Sequence, residues 1–537
     1  MLGPEGRSLA SWLAIPVHPV LVAAYPVLFL FVQNAVDQVT LAPLWMPLGV
    51  AIVAAIALTI VGRMLSGDWR RGALLASLGL ALFFSFGHAW NVLGPTLGQR
   101  RWLIVAYAVL AIGGVALILL RRGGWTIGVT RGLNVIAAAA VIVNLVPIVA
   151  FASTSGAAGP TDGTAVPAGV AVPMDLGPDD RRPDIYFIIL DRYPSAETLR
   201  EIYGYDNAPF IDALADRGFA IADDSWAAYW KTAFSVLSTL RMDHLDGAEL
   251  LEEDGPRDAP TFNPLFRALQ GHLPVPASLK AIGYEYLHIG SWWEPTSTNV
   301  DADRVLEWSS NGEFSSALLA TTALSLLTPG GAITADDESV NDPTLARETT
   351  LFAFDQLEGA RDRPGPTYAF AHLLVPHPPY VFDTDGSQPT ADEVAARSDD
   401  EQMLRQLEWV NGRVLRAVDH LLDVPPGDEP IIVLAADEGP WPDRFTADQR
   451  EFPWLEARPD EIQEKFGILN AIHLPGVDPE SVGFTDDVSP VNTFRIVFNA
   501  YFGTNLTLLE NTTYLSPNYQ RMYDFVPYDR EAMAPAP

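Results

Sequence analysis

Five apolar segments near the N-terminus constrain the fold of this chain more than any other feature of its sequence. They cover residues 13–34, 44–62, 72–91, 102–120 and 132–152, and short charged breaks separate them. Each is close to the roughly 20 residues that a helix needs to cross the hydrocarbon core of a bilayer. Five in succession argue against buried helices of a soluble protein, and four further spans argue against a cleaved signal peptide. The sequence therefore predicts a five-helix transmembrane domain over residues 1–152.

The arginines between these segments predict the orientation of the chain. With the N-terminus in the cytoplasm, seven arginines of the first 150 residues lie inside, and only Arg100 and Arg101 lie outside. Positive residues concentrate in cytoplasmic loops, so this arrangement is favoured over its inverse. An odd number of spans then places everything after residue 152 on the other side. We predict a multi-pass protein of the cell membrane with an extracytoplasmic C-terminal domain.

The two parts of the chain differ in charge. The net charge of the chain is −32, and because the first 150 residues carry nine arginines and three acidic residues, the remainder carries −38. Such an acidic domain argues against nucleic-acid binding as its main function, although general adaptation to salt would produce the same charge. The sequence contains no cysteine, which excludes disulfides, cysteine-ligated zinc and a cysteine nucleophile.

Beyond the membrane segments the chain reads as a linker followed by one large domain. Residues 153–182 are rich in Ser, Gly, Ala, Pro and Thr, which predicts a flexible linker. In residues 183–537, strand and helix patterns alternate, which predicts an α/β domain with a central, mostly parallel sheet flanked by helices. Strand-like runs cover 185–190, 284–289, 367–374, 430–436 and 468–474, and helical patterns cover 208–217, 231–241, 343–360, 402–422 and a late segment from Ser489-Pro490 to Phe502.

Two of the predicted strands end in acidic residues. The run 185–190 stops at Asp191, and the run 431–436 is followed by Asp437 and Glu438. Ligands of parallel sheets bind beyond the carboxyl ends of the strands, and clustered carboxylates need a metal ion or protons in order to coexist. The sequence therefore predicts a cation site here. The alternative is that these acids only cap the helices that follow.

A hydroxyl and a lysine precede one of the predicted helices. Thr232 stands at the start of an apolar helix, where free backbone amides and the helix dipole favour an anion. Its neighbour Lys231 is one of only three lysines in the chain. A helix cap is the competing interpretation of Thr232.

Two histidines lie five residues apart in a strand that runs into a proline-rich turn. His372 lies in the strand, and His377 lies in the Pro-His-Pro-Pro-Tyr sequence that follows it. Because proline restricts the backbone, the turn is expected to hold His377 in one position.

The order of these elements resembles the sulfatase-like branch of the alkaline phosphatase superfamily, and most of all its lipoteichoic acid synthase-like membrane proteins. The resemblance covers roughly residues 183–505 together with the five-span membrane plan. It is carried by a strand ending in Asp191, Thr232 at a helix start, Pro-His-Pro-Pro-Tyr at 376–380, Asp-Glu-Gly at 437–439, Ile-Gly-Ser-Trp-Trp at 289–293 and Asn-Ala-Ile-His-Leu-Pro-Gly at 470–476.

What the resemblance implies is a metal-dependent transferase. It would move a phosphate-linked head group, of the phosphoglycerol or phosphoethanolamine type, from a membrane lipid to an envelope glycan or lipid. Thr232 would be the nucleophile that forms the covalent intermediate. One divalent metal would be held by oxygens of Asp191, Thr232, Asp437 and Glu438. An oxygen-only set suits Mn²⁺ or Mg²⁺ better than Zn²⁺.

The resemblance also assigns residues to the substrate. His377, with His372 behind it, would contact the phosphate or protonate the leaving group, and Trp292, Trp293 and Lys231 would line the substrate site. One departure is that relatives commonly carry Asp-His where this chain has Asp437 followed by a glutamate.

Two other functions stay open at this stage. The same residues could serve a phosphodiesterase or sulfatase-like hydrolase with water as the acceptor, although Thr232 is not followed by the sequence that a formylglycine sulfatase requires. The chain could also be a degenerate envelope protein without catalytic activity.

Overall fold

The chain forms two compact units. The computed structural model describes residues 15–33, 41–97, 99–121, 123–155, 171–174, 176–177, 181–245, 247, 250, 261–308, 313–326, 343–446 and 452–530. Most of the predicted linker, including residues 156–170, lies outside these ranges. The membrane unit comprises Met1–Thr161 and Asn311–Asn341, and the sheet unit comprises Asp162–Ser310 and Asp342–Pro537.

The membrane unit contains a helix for each of the five apolar segments. Four of these helices are long and apolar enough to cross a membrane, whereas His18–Gln33 has 16 residues and spans about 24 Å at 1.5 Å per residue. The helices are His18–Gln33, Ala42–Ser66, Trp69–Leu97, Arg100–Leu120 and Gly123–Ser155.

Glycines allow two of these helices to touch. A Cβ atom added to Gly62 would lie 2.7 Å from the carbonyl oxygen of Gly72, so a side chain at this crossing would collide with backbone. Small residues permit such close helix packing in membranes. Between the two helices, Gly67 has a φ of 70° and its N–H donates to the Arg63 carbonyl, which ends the helix Ala42–Ser66.

The sheet unit is built on a seven-stranded sheet of order β2-β7-β6-β1-β5-β3-β4. Only β7 runs against the others, since it pairs antiparallel with both β6 and β2. The predicted mostly parallel sheet is therefore confirmed. The strands are β1 Ile185–Leu190, β2 Phe219–Ile221, β3 Glu285–Ile289, β4 Arg304–Leu306, β5 Thr367–Leu373, β6 Ile431–Ala435 and β7 Asn470–His473.

Helices flank the sheet, and a short hairpin follows it. The hairpin strands β8 and β9, like β4, have only three residues each, too few for a recognisable pattern, and the sequence did not predict them. The α-helices of this unit are Ala196–Glu201, Ala208–Ala215, Thr232–Arg241, Asn263–Leu269, Pro274–Ala281, Pro343–Gly359, Ala391–Ala396, Asp399–Leu422, Asp443–Thr446, Pro459–Phe466 and Thr493–Tyr501, and the hairpin strands are Thr513–Leu515 and Val526–Tyr528.

Strand β1 lies in the core of the sheet unit, and all six of its residues are buried. The ring of Phe187 contacts those of Phe370 on β5 and Phe494 on a flanking helix, at 5.6 and 5.1 Å between centroids. The helix Thr232–Arg241 is also buried, in nine of its ten residues. A helix held on all sides gives its first residue, Thr232, a fixed position.

The pairing of three strands brings their carboxyl ends together. Leu190 of β1 pairs with Leu373 of β5, and Ile189 pairs with Ala435 of β6. The residues at and just beyond these positions therefore meet at one edge of the sheet.

Candidate active site

Asp191, His372 and Asp437 form a buried cluster at this edge. One ligand atom of each lies within 4.8 Å of the ligand atoms of the other two. His372 Nε2 is 3.3 Å from Asp191 Oδ2. The strand register produces this arrangement, since Asp191 directly follows β1, His372 is the penultimate residue of β5, and Asp437 lies two residues beyond β6.

Two carboxylate oxygens of this cluster lack partners. Among the described residues, neither Asp191 Oδ1 nor Asp437 Oδ2 has a hydrogen bond of normal geometry, and both atoms are buried. Buried polar atoms are nearly always hydrogen-bonded, so converging acceptors without donors indicate a missing positive partner. Carboxylate and imidazole groups are common ligands of divalent metals. The residues present therefore fit one divalent cation.

The pKa shifts of the two acidic residues also favour a bound cation. Burial raises the pKa of Asp437 well above the ordinary carboxyl range, and the neighbouring charges of Asp191 and Glu438 raise it further. Burial also raises the pKa of Asp191, but His377 and His372 outweigh that effect and hold the pKa below its ordinary value. Two carboxyl groups this close cannot both ionise unless a proton or a cation compensates them.

A chain of hydroxyl groups orients His372. Its Nδ1 is 2.9 Å from Thr296 Oγ1, which is in turn 2.8 Å from Ser291 Oγ. If Nδ1–H donates to Thr296, the lone pair stays on Nε2, the atom that faces Asp191. The sequence placed His372 behind His377 on the substrate side, whereas the structure places it next to the acidic residues.

Thr232 lies beside this cluster. It is the first residue of its helix, after Lys231 in an extended conformation. Its hydroxyl stands next to the Asp437 carboxyl, whose pKa it lowers by hydrogen bonding. The structure thus brings together Asp191, Thr232 and Asp437, three of the four residues predicted as ligands.

The fourth, Glu438, lies in different surroundings. Its Oε1 is 2.8 Å from Lys465 Nζ and 3.4 Å from Arg192 Nε. Lys465 also donates to the carbonyl of Gly439 at 2.9 Å and is fully buried. Lysine thus neutralises Glu438, while its other oxygen, Oε2, has no hydrogen-bond partner among the described residues.

Three basic side chains surround the ring of Trp441. Arg192, Lys231 and Lys465 lie 5.3, 5.3 and 3.4 Å from its centroid. Burial lowers the pKa of Lys231 to about 7 and that of Lys465 to about 8. Such a group of cations can bind the oxygens of a phosphate.

Together with Trp441, these three side chains form a cation–π group, and sequence reasoning missed three of its four members: Arg192, Trp441 and Lys465. The scarcity of lysine was the available signal, because two of the three lysines in the chain lie here. Arg192 has a φ of 60°, an uncommon conformation for a residue other than glycine.

The predicted histidine and tryptophans also lie nearby. The ring of Trp292 is 5.8 Å from that of His377, and the ring of Trp293 is 5.9 Å from that of His372. Trp292 is buried, and its indole N–H has no hydrogen-bond partner among the described residues.

His377 is neutral in these surroundings. Burial and, to a smaller extent, the positive charge of Arg192 lower its pKa to about 3. Its Nδ1 is hydrogen-bonded to the carbonyl oxygen of Pro378, so Nδ1 must carry the hydrogen. The lone pair is therefore on Nε2.

Comparisons with known proteins return structures but no sequence relatives. No protein-family model matches this sequence, and a comparison with curated proteins found no similar one. Among solved structures, the integral membrane protein lipooligosaccharide phosphoethanolamine transferase A from Neisseria meningitidis is 12% identical, with a TM-score of 0.38. The match covers 90% of this chain and 95% of that one.

Two further matches are confined to shorter stretches. The lipoteichoic acid synthase LtaP from Listeria monocytogenes is 14% identical over 65% of this chain and 82% of its own, with a TM-score of 0.37. A protein in the alkaline phosphatase superfamily from Vibrio parahaemolyticus is 12% identical over 66% and 78%, with a TM-score of 0.40. The description of the third structure names the superfamily that the sequence motifs resemble. At these identities and TM-scores, none of the three assigns a substrate or residue roles to this chain.

Proposed function

We propose that this chain is a membrane-bound transferase with an extracytoplasmic active site, in which Thr232 forms a covalent intermediate. It would move a phosphate-linked head group, of the phosphoglycerol or phosphoethanolamine type, from a membrane lipid to an envelope glycan or lipid. The observation that carries the proposal is the position of the Thr232 hydroxyl, next to a buried Asp191–His372–Asp437 cluster and to a group of cations. Membrane helices in the same chain favour a lipid as the donor.

In this proposal, one divalent metal is held by Asp191, His372 and Asp437, with the Thr232 hydroxyl beside them. When bound, the metal lowers the pKa of a hydroxyl and neutralises charge on phosphate oxygens. Oε2 of Glu438 is a candidate for a further ligand. The imidazole alters the metal expected from an oxygen-only set, because a set with two carboxylates and one imidazole suits Mn²⁺ or Zn²⁺ better than Mg²⁺.

The first half of the reaction loads the enzyme. Thr232 Oγ forms a bond to phosphorus as the bond from phosphorus to the lipid oxygen breaks. The hydroxyl proton passes to the neutral form of Lys231, which then donates it to the departing lipid oxygen, since a pKa of about 7 suits both transfers near neutral pH. Arg192 binds the phosphate oxygens.

The second half transfers the head group. A hydroxyl of the acceptor attacks phosphorus, the bond to Thr232 breaks, and Thr232 regains a proton from Lys231. The proton of the acceptor hydroxyl passes to Lys231, so the cycle leaves every group as it began. His377 orients the attacking hydroxyl, since its Nε2 lone pair can accept a hydrogen bond.

Substitution of Thr232 tests the proposal. The full-length protein in liposomes is supplied with a lipid that carries a labelled head group, with and without a glycan acceptor, and peptides containing Thr232 are examined by mass spectrometry. Thr232→Ala is expected to abolish both turnover and the head-group adduct, whereas Thr232→Ser retains part of both. Thr239→Ala is the matched control, because Thr239 lies in the same helix and its hydroxyl bonds to the Ser235 carbonyl at 3.0 Å.

The outcomes separate the candidate functions. Full activity of Thr232→Ala would eliminate the covalent mechanism. Release of a soluble head group without any acceptor would identify a hydrolase instead of a transferase. A wild-type protein without turnover or adduct, with Mn²⁺ or with Zn²⁺, would favour the non-catalytic alternative.

A further inference from the structure

A short segment from the middle of the predicted extracytoplasmic domain belongs to the membrane unit. Glu313–Thr321 form an α-helix and Ala323–Leu326 form a 3-10 helix, and both pack with the apolar helices of the N-terminal part. In sequence, the segment lies between β4 and the helix Pro343–Gly359 of the sheet unit. We call residues 313–326 the docking segment.

One side of the docking segment is part of the core of the membrane unit. Phe314 and Leu318 belong to a buried cluster with residues of the apolar helices. The rings of Phe314 and Phe31 meet edge to face at 5.8 Å. A Cβ atom added to Gly87 would lie 2.6 Å from Thr321 Cα, so this glycine lets the two backbones approach.

These contacts all lie at one end of the bundle. Phe31 is close to the end of its helix, and Gly87 is three residues, or about 5 Å, before the end of the candidate span Trp69–Trp90. Arg100, the first residue of the next span, donates from Nη1 to the carbonyl of Ser325 at 3.1 Å. A helix that lies in the membrane interface is buried to a depth of about 5–10 Å. The docking segment meets one candidate span near its end and the next at its first residue.

Aromatic residues mark the same end as a membrane boundary. Trp45 and Trp102 stand near the starts of two spans at this end, and both are exposed. Tryptophan is enriched where a span meets the head groups of the lipids.

The other side of the docking segment is apolar and uncovered. Leu319, Leu324 and Leu326 are 50%, 39% and 39% exposed, although the opposite side of the same segment is already buried against the bundle. The spans against which the segment packs also expose large apolar side chains, among them Trp45, Val50 and Val53.

We infer that the docking segment lies in the membrane interface and that Leu319, Leu324 and Leu326 contact bilayer lipids. The chain thus enters the membrane a second time, within the sequence of its soluble part. This inference does not depend on the proposed transferase activity, since it concerns only the membrane unit.

The absence of cysteine allows a direct test. Leu319→Cys, Leu324→Cys and Leu326→Cys are made singly in the full-length chain, labelled with a fluorophore and reconstituted in phosphatidylcholine–phosphatidylglycerol vesicles. Leu455→Cys is the control, because Leu455 is similarly exposed at 47% but belongs to the sheet unit. Quenching is measured with lipids that carry a nitroxide on the acyl chain and with iodide in the buffer.

We expect the lipid quencher to reduce fluorescence at the three docking-segment positions at least about threefold more than at Leu455, and iodide to show the reverse order. Iodide quenching as strong as at Leu455 would place the segment in water and overturn the inference. Protection from both quenchers would mean that protein, such as a second copy of the chain, covers the leucines, and this would also overturn it. Three separate positions guard against a variant that does not fold.

Discussion

Strand β1 has an acidic residue at each end, and the two ends differ in how that residue is satisfied. At the amino end, Asp184 Oδ1 accepts a hydrogen bond of 2.7 Å from the backbone N–H of Thr367 on the neighbouring strand. At the carboxyl end, Oδ1 of Asp191 has no such partner among the described residues and lies near Asp437. The Asp184 carboxyl group links two strands, whereas Asp191 keeps one oxygen without a hydrogen bond among the described residues.

The difference shows why acidity alone does not mark a site. Near the amino end of the sheet, Glu285 is matched within the protein, by Arg304 at 2.8 Å and Arg363 at 2.7 Å. At the carboxyl end, loops that follow the strands bring in side chains from distant positions, and acceptors accumulate beyond the available donors. Unmatched acceptors, rather than buried charge, distinguish the candidate site.

The largest effect is expected when the acidic residues at the two ends of β1 are each replaced by asparagine. Asp191→Asn should abolish metal binding and lower turnover more than about a hundredfold, because a metal supplies several kcal/mol of transition-state stabilisation. Asp184→Asn should leave both unchanged, since asparagine still accepts the bond from Thr367. Calorimetric titration with Mn²⁺ and Zn²⁺, together with turnover of a labelled lipid, measures both variants. If both variants lost metal binding and turnover equally, Asp191 would not differ from Asp184 in its role, and the assignment of Asp191 to a metal site would be wrong.

The second prediction tests whether Glu438 is mainly the ion-pair partner of Lys465 or a metal ligand. Lys465→Met leaves the Glu438 charge buried without its partner, which should lower the free energy of unfolding by about 3–5 kcal/mol. Lys465→Met combined with Glu438→Gln should recover most of that loss. Urea unfolding provides the measurement. Lys280→Met is the control, since Lys280 forms a more exposed pair with Asp303 and should cost less than about 1 kcal/mol.

A metal titration completes this test. If Glu438 is mainly the partner of Lys465, added Mn²⁺ should not restore the stability of Lys465→Met. Restoration to the wild-type value would instead identify Glu438 as a ligand, as the sequence predicted.

A smaller effect is expected from the hydroxyl that orients His372. Thr296→Val keeps the shape of the side chain but removes the acceptor next to Nδ1, and loss of such a supporting partner typically weakens metal affinity about 10–100-fold. Competition with a chelating dye measures the affinity. Thr350→Val is a suitable comparison, because this buried threonine bonds to the carbonyl of Ala346 away from the cluster. Equal affinity in Thr296→Val and the wild type would show that His372 does not bind the metal.

The smallest effect concerns pH at the amino end. Burial raises the pKa of Asp184 from 3.8 to about 6, so its contribution to stability is fully present below pH 3.8 and is lost as pH rises through 6. Because the group is partly exposed, we expect a loss of about 2 kcal/mol across this range. Asp184→Asn should remove this part of the pH dependence, as measured by unfolding at pH 4 and pH 7. An unchanged profile would mean that Asp184 is ionised at both values.

Much of the fold follows from local patterns. The apolar run 185–190 forms β1 with the predicted bounds, and the pattern over 402–422 falls within the helix Asp399–Leu422. Both depend on periodicity within one element, which a sequence displays directly. The three-residue strand Arg304–Leu306 was not predicted because it is shorter than any such period.

The candidate site was predictable in part for the same reason. A strand that ends in an acid places that acid at the carboxyl edge of a parallel sheet, so Asp191 and Asp437 could be paired from sequence alone. Thr232 was singled out by its place at a predicted helix start, and family resemblance added its role as nucleophile; the structure places it beside the two acids. Neither argument predicted Arg192 or Trp441, since the cation–π group forms only through loops that meet in three dimensions.

By itself, the sequence determined the apolar helices, the mostly parallel sheet and the acids at its strand ends, because each depends on neighbours along the chain. Only the tertiary structure decided that His372 faces Asp191 while Glu438 faces Lys465. Those pairings join residues from different elements, and packing determines which way each side chain turns. The tertiary structure also decided that the docking segment belongs to the membrane unit. Only when the segment packs on the bundle does Leu318 become buried while Leu319 stays exposed.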